Sequence, residues 1–132
     1  MTEPRGYVLD ASALLALIND ETGAGTVESA LNLEATCISV VQVAEVVAVL
    51  VRKGFPDEDV RQILDSLMVR EVALSGEIAL ASGLLHRVTR PLCLSLGDRV
   101  CLALADHLQL PAMTSDRAWA DPQVGIAIQL IR

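Results

Sequence analysis

The sequence predicts an α/β fold with a central, mostly parallel sheet and helices on both of its faces. Short apolar segments alternate with amphipathic helical segments from one end of the chain to the other. Hydrophobic residues make up 52% of the chain and aromatic residues only 2%, so the core must be aliphatic. The 132 residues show no linker, repeat or low-complexity segment, which indicates a single domain over residues 1–132.

The first strand and the first helix are predicted by residues 7–15, YVLDASALL. An apolar run ends at Asp10, and a second apolar run follows Ala11 and Ser12. We interpret this pattern as a buried strand, with Asp10 at its carboxyl end and a helix that begins near Ala11 and extends to Asn19. Ligands of open parallel sheets bind at the carboxyl ends of the strands, so Asp10 is expected at the functional edge.

The later helices are predicted from apolar periodicity and from capping residues. Ser39 and Gln42 have the spacing of a capping box, and Asp57 and Ser75 are expected as N-caps. Gly54 is expected to end the longest helix. Together these signals predict helices over residues 26–33, 39–53, from 57 onward, 76–88 and 97–108, and a short helix up to residue 120.

The remaining strands are short and lie between these helices. They are predicted over residues 35–38, 70–74, 111–114 and 124–131. Strands that alternate with helices form βαβ units, in which parallel strands neighbour one another.

Charge and composition exclude several classes of function. The formal net charge is -7, and no stripe rich in Lys or Arg occurs, so broad electrostatic binding of nucleic acid is not expected. Contact with a polyanion would have to be local, or bridged by metal cations. Three cysteines without CxxC spacing indicate reduced thiols and a cytoplasmic protein. Neither a signal peptide nor an apolar run long enough to span a membrane is recognised.

Four acidic residues stand out by position. Asp10 and Asp116 follow predicted strands, Asp98 opens a helix, and Glu45 lies in an otherwise aliphatic helix. Two carboxylates about 4 Å apart repel by roughly 4 kcal/mol at an effective dielectric near 20, so such a cluster requires a cation or raised pKa values. Oxygen ligands without His or Cys suit Mg²⁺ or Mn²⁺, ions that activate water for hydrolysis of phosphate esters.

Each acid also has a structural explanation. The three aspartates could cap the helices that they precede or open, and Ser95 with Asp98 has the spacing of a capping box. Gln42, Glu45 and Arg52 could form a narrow solvated stripe on their helix.

Weaker candidates surround the acids. Ser12 and Ser115 could support a site through their hydroxyl groups, and Arg99 directly follows a candidate acid and could contact a phosphate. His86 and His107 share no ligand spacing and are expected on helix surfaces.

Four segments together carry a resemblance to a known family. They are residues 8–17 (VLDASALLAL), 39–46 (SVVQVAEV), 95–105 (SLGDRVCLALA) and 114–119 (TSDRAW). With these motifs in this order, the chain resembles a PIN domain, and more closely a VapC-type toxin ribonuclease of a type II toxin–antitoxin system. The resemblance implies a PIN-like three-layer α/β/α sandwich. It also implies an endoribonuclease dependent on Mg²⁺, with Mn²⁺ as a substitute, whose catalytic and metal-binding acids are Asp10, Glu45, Asp98 and Asp116.

The same resemblance implies two protein partners. One is a second copy of the chain, in a homodimer, and the other is a cognate antitoxin whose C-terminal segment covers the active-site groove. The helical segments 13–18 and 40–51 are apolar enough to offer such a groove, and the acidity of the chain would suit a basic antitoxin segment.

Other functions remain open at this point. A phosphatase of the haloacid dehalogenase type requires a second Asp two residues after the first, where this chain has Ser12. A phosphoacceptor receiver domain requires a late Lys, and the only lysine is Lys53. A PIN-fold module that only binds protein, or another metal-dependent phosphoesterase without a toxin role, would also fit the fold. Stabilisation by Mn²⁺ distinguishes an intact metal site from a binding module without one.

Overall fold

The computed structural model describes residues 3–132, which contain one sheet of five parallel strands. The strands lie in the order β3-β2-β1-β4-β5. Their bounds are Val8–Leu9 (β1), Cys37–Ser39 (β2), Arg70–Val72 (β3), Ala112–Thr114 (β4) and Ile128–Leu130 (β5). The predicted parallel α/β architecture is therefore confirmed, and every strand of the described residues runs in the same direction.

Helices cover both faces of this sheet. Their bounds are Ala11–Ile18 (α1), Ala24–Leu31 (α2), Val40–Arg52 (α3), Asp57–Leu67 (α4), Gly76–Leu84 (α5), His86–Thr89 (α6) and Leu96–Leu108 (α7). Successive strand residues point to opposite faces, which divides the core into two clusters. Val8 packs with residues of α5 and α7, and Leu9 packs with residues of α1 to α4. The result is the predicted three-layer α/β/α sandwich.

Strand β1 lies at the centre of the sheet and is fully buried. Its backbone is paired on both sides, since the Val8 N–H donates to Pro111 and the Cys37 N–H donates to Tyr7. Beyond the strand, the Asp10 N–H donates to the carbonyl of Met113. The central position of β1 places Asp10 in the middle of the carboxyl edge.

The helix predicted over residues 76–88 is interrupted in the structure. Helix α5 ends at Leu84, and the separate short helix α6 follows, then a 3-10 turn over Arg90–Leu92. Thr89 is fully buried, and its hydroxyl donates to the carbonyl of Leu85 at 2.8 Å. A threonine hydroxyl that binds a carbonyl of its own helix perturbs the regular helix ladder, which accounts for the interruption here.

Two predicted N-terminal caps differ from those observed. Asp57 is the first helical residue of α4, and the N-cap is Pro56, which has no side-chain hydrogen bond to the helix. The Ser39 hydroxyl accepts from the Val41 N–H, whereas Gln42 does not complete a capping box. The predicted Ser75 cap is confirmed, since its hydroxyl accepts from the Ile78 N–H.

The C-terminal region is less regular than predicted. The segment after β4 forms 3-10 turns over Arg117–Ala120 and Pro122–Val124. Gly125 has a φ of 73°, a conformation that favours glycine and ends the turn. Strand β5 therefore spans only three residues instead of the predicted 124–131.

Two further expectations concern the state of the cysteines and the presence of membrane-spanning helices in residues 3–132. Cys37 and Cys101 are buried, Cys93 is exposed, and all three are free thiols. No helix in this range has the length and hydrophobicity needed to cross a membrane.

Candidate metal centre

Asp10 lies directly after β1 and is the N-cap of α1. Its Oδ1 accepts hydrogen bonds from the Ser12 hydroxyl at 2.7 Å and from the Ala13 N–H at 2.8 Å. Its Oδ2 accepts from the Thr114 hydroxyl at 2.5 Å. The residue is only 4% exposed. These contacts fix both carboxylate oxygens, so the orientation of the side chain is set by the protein itself.

Burial dominates the ionisation of this side chain. It raises the pKa of Asp10 from the ordinary value of 3.8 to about 6, although the hydrogen bonds from Thr114, Ser12 and Ala13 act in the opposite direction. The negative charge of Asp98 raises this pKa further. Perturbed carboxyl groups of this kind are found at functional sites more often than elsewhere.

Glu45 lies on α3 and reaches the same edge of the sheet. Burial raises the pKa of Glu45, and the negative charges of Asp98 and Asp10 raise it further. The carboxylate lies against the backbone of Gly97, where a Cβ atom would come within 1.9 Å of the Glu45 Oε1 atom. Glycine at position 97 therefore leaves the space that the Glu45 side chain occupies.

Asp98 lies in the first turn of α7 and takes part in a capping box. The Ser95 N–H donates to its Oδ2 at 3.0 Å, and the Asp98 N–H donates to the Ser95 hydroxyl at 3.1 Å. The structural explanation offered by the sequence is thus realised. This capping role does not remove Asp98 from the neighbourhood of the other acids, since the charge of Asp98 raises the pKa values of both Asp10 and Glu45.

We name Asp10, Glu45 and Asp98 the acid cluster. The fourth predicted acid, Asp116, lies beyond β4 and is exposed. Its N–H donates to the Thr114 hydroxyl, while its Oδ1 accepts from the Ala118 N–H at 3.0 Å and caps the following turn. The charges that raise the pKa values of Asp10 and Glu45 come from within the acid cluster and not from Asp116.

Gln42 is a residue of this site that the sequence interpretation missed. It is 1% exposed, and its Oε1 accepts from the Ala11 N–H at 2.7 Å. Its Nε2 donates to the Gly97 carbonyl at 2.6 Å. One amide thus joins the residue after Asp10 to the residue before Asp98. The alternative in which Gln42 belongs to a solvated stripe is therefore wrong, since the side chain is buried. The sequence signal that could have indicated its role is a single amide in an aliphatic helix, one turn before Glu45.

The supporting residues have unequal roles. The Ser12 hydroxyl contacts Asp10 and accepts from the Ser115 N–H at 3.0 Å, so Ser115 acts here through its main chain. Arg99 points toward His86, with 2.9 Å between its Nη1 and the His86 Nδ1. The Nε of Arg99 is buried without a hydrogen-bond partner in residues 3–132.

The carboxylate oxygens of the acid cluster are the type of ligand that a hard divalent cation prefers. The salt bridges of residues 3–132 are His107–Glu77 and Arg132–Glu21, so no cationic side chain neutralises the cluster. Uncompensated carboxylates favour a cation with oxygen ligands. In the same range, however, no group of three or more Asp, Glu, His or Cys side chains is close enough to hold an ion. Binding would therefore require the carboxylates to converge, which their mutual repulsion opposes without a cation.

Comparisons with known proteins agree with this architecture. The sequence matches the PIN domain family over residues 7–124. A comparison with curated proteins gave no significant match. Among solved structures, the chain is similar to DNA-bound VapBC from Salmonella typhimurium, with a TM-score of 0.77, 16% identity, and coverage of 96% of this chain and 98% of that chain.

Two further solved structures have the same fold. VapBC2 from Rickettsia felis, bound to a DNA fragment from its promoter, gives a TM-score of 0.74 at 15% identity, with 93% of this chain and 96% of that chain covered. VapBC-5 from Mycobacterium tuberculosis, a member of the VapBC family of toxin–antitoxin systems, gives a TM-score of 0.60 at 21% identity, with 98% of this chain and 99% of that chain covered.

Fold and site together define an α/β/α protein with an acidic centre at the carboxyl edge of a parallel sheet. The chain belongs to the PIN domain family, since the family match extends over nearly the whole sequence.

Proposed function

We propose that the protein is a metal-dependent endoribonuclease toxin of the VapC type, which hydrolyses phosphodiester bonds of RNA in the cytoplasm. The observation that carries the proposal is the acid cluster. At the carboxyl edge of the sheet the charge of Asp98 acts on Asp10, the charges of Asp98 and Asp10 act on Glu45, and no cationic side chain of residues 3–132 pairs with these acids. Membership of the PIN domain family and the likeness to VapBC structures support the same activity.

The chain would hold Mg²⁺, or Mn²⁺ in its place, through the acid cluster, with Asp116 as a fourth acid. Such an ion activates water and neutralises charge on the phosphate group. Ser12 and Thr114 orient the buried carboxylate of Asp10. Gln42 holds α3 against the start of α7, which keeps Glu45 near Asp98.

A cleavage assay tests this proposal. Purified protein is incubated with a pool of structured RNA in Mg²⁺ or in EDTA, beside the Asp10→Asn and Asp98→Asn variants. We expect cleavage that requires the metal and is abolished in both variants, while the fluorescence of Trp119 reports an intact fold. Full activity in both variants would reject the assignment. Asp116→Asn should reduce activity less, because Asp116 is exposed and lies outside the acid cluster.

Thermal stabilisation by Mn²⁺ tests the site without requiring the correct RNA. A ligand at 100 times its Kd stabilises the folded state by about 2.7 kcal/mol, which shifts Tm measurably. We expect such a shift in the natural protein and its loss in Asp10→Asn.

A protein-binding module with a PIN fold is the second candidate. It is favoured by the capping roles of the three aspartates and by the lack of a preformed ligand group in residues 3–132. Absence of any Mn²⁺ effect, together with absence of cleavage, would support this module over the enzyme.

An apolar groove supports the proposal of an antitoxin partner. It lies between α3 and α4, has a volume of about 370 Å³, and is lined by Val47, Val51, Val60 and Leu64 with the charged Asp57 and Arg61. The sequence interpretation included α3 but not α4 in such a groove. An amphipathic helix of an antitoxin would bury its apolar face here. Leu64→Glu should prevent co-purification with the product of a neighbouring antitoxin gene, and unchanged co-purification would exclude this groove.

The homodimer implied by the family resemblance is also part of the proposal. Leu80 on α5 is 66% exposed, and an interface between two copies would remove such a side chain from water. Light scattering should give the mass of a dimer for the natural protein and of a monomer for Leu80→Glu. A monomeric natural protein would contradict the proposal.

A further inference from the structure

A cationic groove lies where the end of α5 meets α6 and the 3-10 turn that follows it. Residues 78–97 contain no acid, although the chain has 17 acidic residues, and they contain His86, Arg87 and Arg90. These three side chains line an open groove of about 360 Å³ together with Gly83 and Leu84. We propose that this cationic groove binds phosphates of the RNA backbone next to the acid cluster. The inference rests on the proposed ribonuclease function and adds a binding site to it.

The local fold presents His86, Arg87 and Arg90 on one surface, and the two arginines carry its positive charge. Positions 86 and 90 are four residues apart and positions 87 and 90 three apart, the spacings that put helical side chains on a common face. Leu85 is half-buried and Thr89 is fully buried, with its hydroxyl on the Leu85 carbonyl. These inward contacts anchor the short helix α6, so the basic face is held toward solvent.

The charges of the groove are available to a ligand. Arg87 and Arg90 are exposed, and neither takes part in the salt bridges of residues 3–132. A guanidinium group matches the geometry of a phosphate and can donate two parallel hydrogen bonds to it. Because the formal net charge of the chain is -7, a local group of unpaired arginines is the kind of surface through which this protein can contact a polyanion.

Arg99 connects the groove with the acid cluster. It directly follows Asp98 on α7, and its Nη1 lies 2.9 Å from the His86 Nδ1. Its Nε is buried and has no hydrogen-bond partner in the described part of the chain. A strand of RNA with one phosphate at the acid cluster can therefore extend across Arg99 onto the basic face of α6. An acidic protein segment would be a different ligand, and RNA binding and protein co-purification by the same variants distinguish it from RNA.

The test measures RNA binding independently of cleavage. The probe is a short fluorescein-labelled single-stranded RNA in EDTA, and its anisotropy is followed at several salt concentrations. The variant is Arg87→Gln/Arg90→Gln. The matched control is Arg5→Gln/Arg70→Gln, which removes the same charge from exposed positions. These control arginines line a groove near the amino ends of the strands, since Arg70 begins β3.

We expect the groove variant to bind RNA several-fold more weakly at low salt. The slope of log K against log salt concentration should become shallower by about 1.4, because each phosphate contact to single-stranded nucleic acid contributes about 0.7. The control should retain the slope of the natural protein. Equal losses in the two variants, or no RNA binding by the natural protein at low salt, would overturn the proposal.

The two proposals fail separately. If cleavage depends on metal and on Asp10 while both double variants bind RNA alike, the groove is rejected and the ribonuclease stands. If binding is lost only in the groove variant, no condition gives cleavage and Mn²⁺ does not change Tm, the groove stands and the ribonuclease is rejected. If the groove variant binds RNA normally but loses a co-purifying protein, the ligand of the groove is protein and the proposal is overturned.

Discussion

Replacement of Asp10 by Asn is expected to stabilise the metal-free protein at neutral and alkaline pH. Burial raises the pKa of Asp10 in the folded state to about 6, from an ordinary value of 3.8. A group whose pKa is raised on folding contributes stability that is fully present below pH 3.8 and is lost as the pH rises through about 6. One pKa unit corresponds to about 1.4 kcal/mol, so the ionised carboxylate costs about 3 kcal/mol at pH 8.

Asparagine removes the charge and keeps most of the local contacts. Its side-chain oxygen can still accept from Ser12 and from the Ala13 N–H, and its amide can donate to the Thr114 hydroxyl. The two proteins should therefore be equally stable near pH 4, and the variant should be more stable by about 3 kcal/mol at pH 8.

Urea unfolding in EDTA, followed by the fluorescence of Trp119, measures this difference as a function of pH. Asp65→Asn on α4 is the matched control, because Asp65 is exposed and its replacement should leave the difference near zero at every pH. A difference that does not change with pH, or a variant less stable than the natural protein at pH 8, would refute the reasoning. Saturating Mn²⁺ should remove the advantage of the variant, since a bound cation offsets the buried charge.

Two other substitutions test the contacts around the acid cluster. Gln42→Leu leaves two buried main-chain groups without partners and should cost about 2–5 kcal/mol in urea unfolding, whereas the exposed Gln62→Leu should change stability by less than about 0.5 kcal/mol. Gly97→Ala should weaken Mn²⁺ binding by roughly 10–100-fold in calorimetry, because its methyl group would displace the Glu45 carboxylate. Gly83→Ala is its control: nothing lies within 4 Å of the added methyl, and Mn²⁺ affinity should not change.

Contrary outcomes would be informative for each contact. If Gln42→Leu were as stable as the Gln62→Leu control, the buried amide would not hold α3 against α1 and α7. If Gly97→Ala bound Mn²⁺ as tightly as the natural protein, Glu45 would not be a ligand in its present position.

The layer architecture was predictable because its signals are local. The apolar run before Asp10 and the break that follows it identify β1 and α1 without knowledge of any distant residue. The Ser75 cap is equally local. The division of residues 76–88 into two helices was not predictable, because it follows from the burial of Thr89 against the rest of the fold.

The acids of the site were predicted by position, and their capping roles were predicted as alternatives to a site. The structure shows the capping role of Asp10 together with a second contact of its carboxylate. Asp10 caps α1 through Oδ1, whereas its Oδ2 contacts Thr114 on a neighbouring strand. A capping side chain therefore can also make contacts outside its own helix, and sequence spacing alone does not distinguish a cap from the proposed metal ligand.

The contacts that organise the acid cluster were not visible in the sequence. Gln42 joins segments that are 31 and 55 residues away along the chain, and Thr114 contacts Asp10 across 104 residues. Such partners depend on the strand order, in which β1 lies between β2 and β4. The sequence shows that Gln42 is an unusual residue in an aliphatic helix, but only the fold identifies the groups that it binds.

The most direct test of the account is the position of Mn²⁺ in crystals of the protein. Anomalous difference density should appear between Asp10, Glu45 and Asp98, with carboxylate oxygens at about the 2.0–2.1 Å distance known for Mg²⁺. Crystals of Asp10→Asn treated in the same way should lack this density. Saturating Mn²⁺ without density at the acid cluster, or with density only elsewhere, would contradict the claim that this edge of the sheet is a metal-dependent active site.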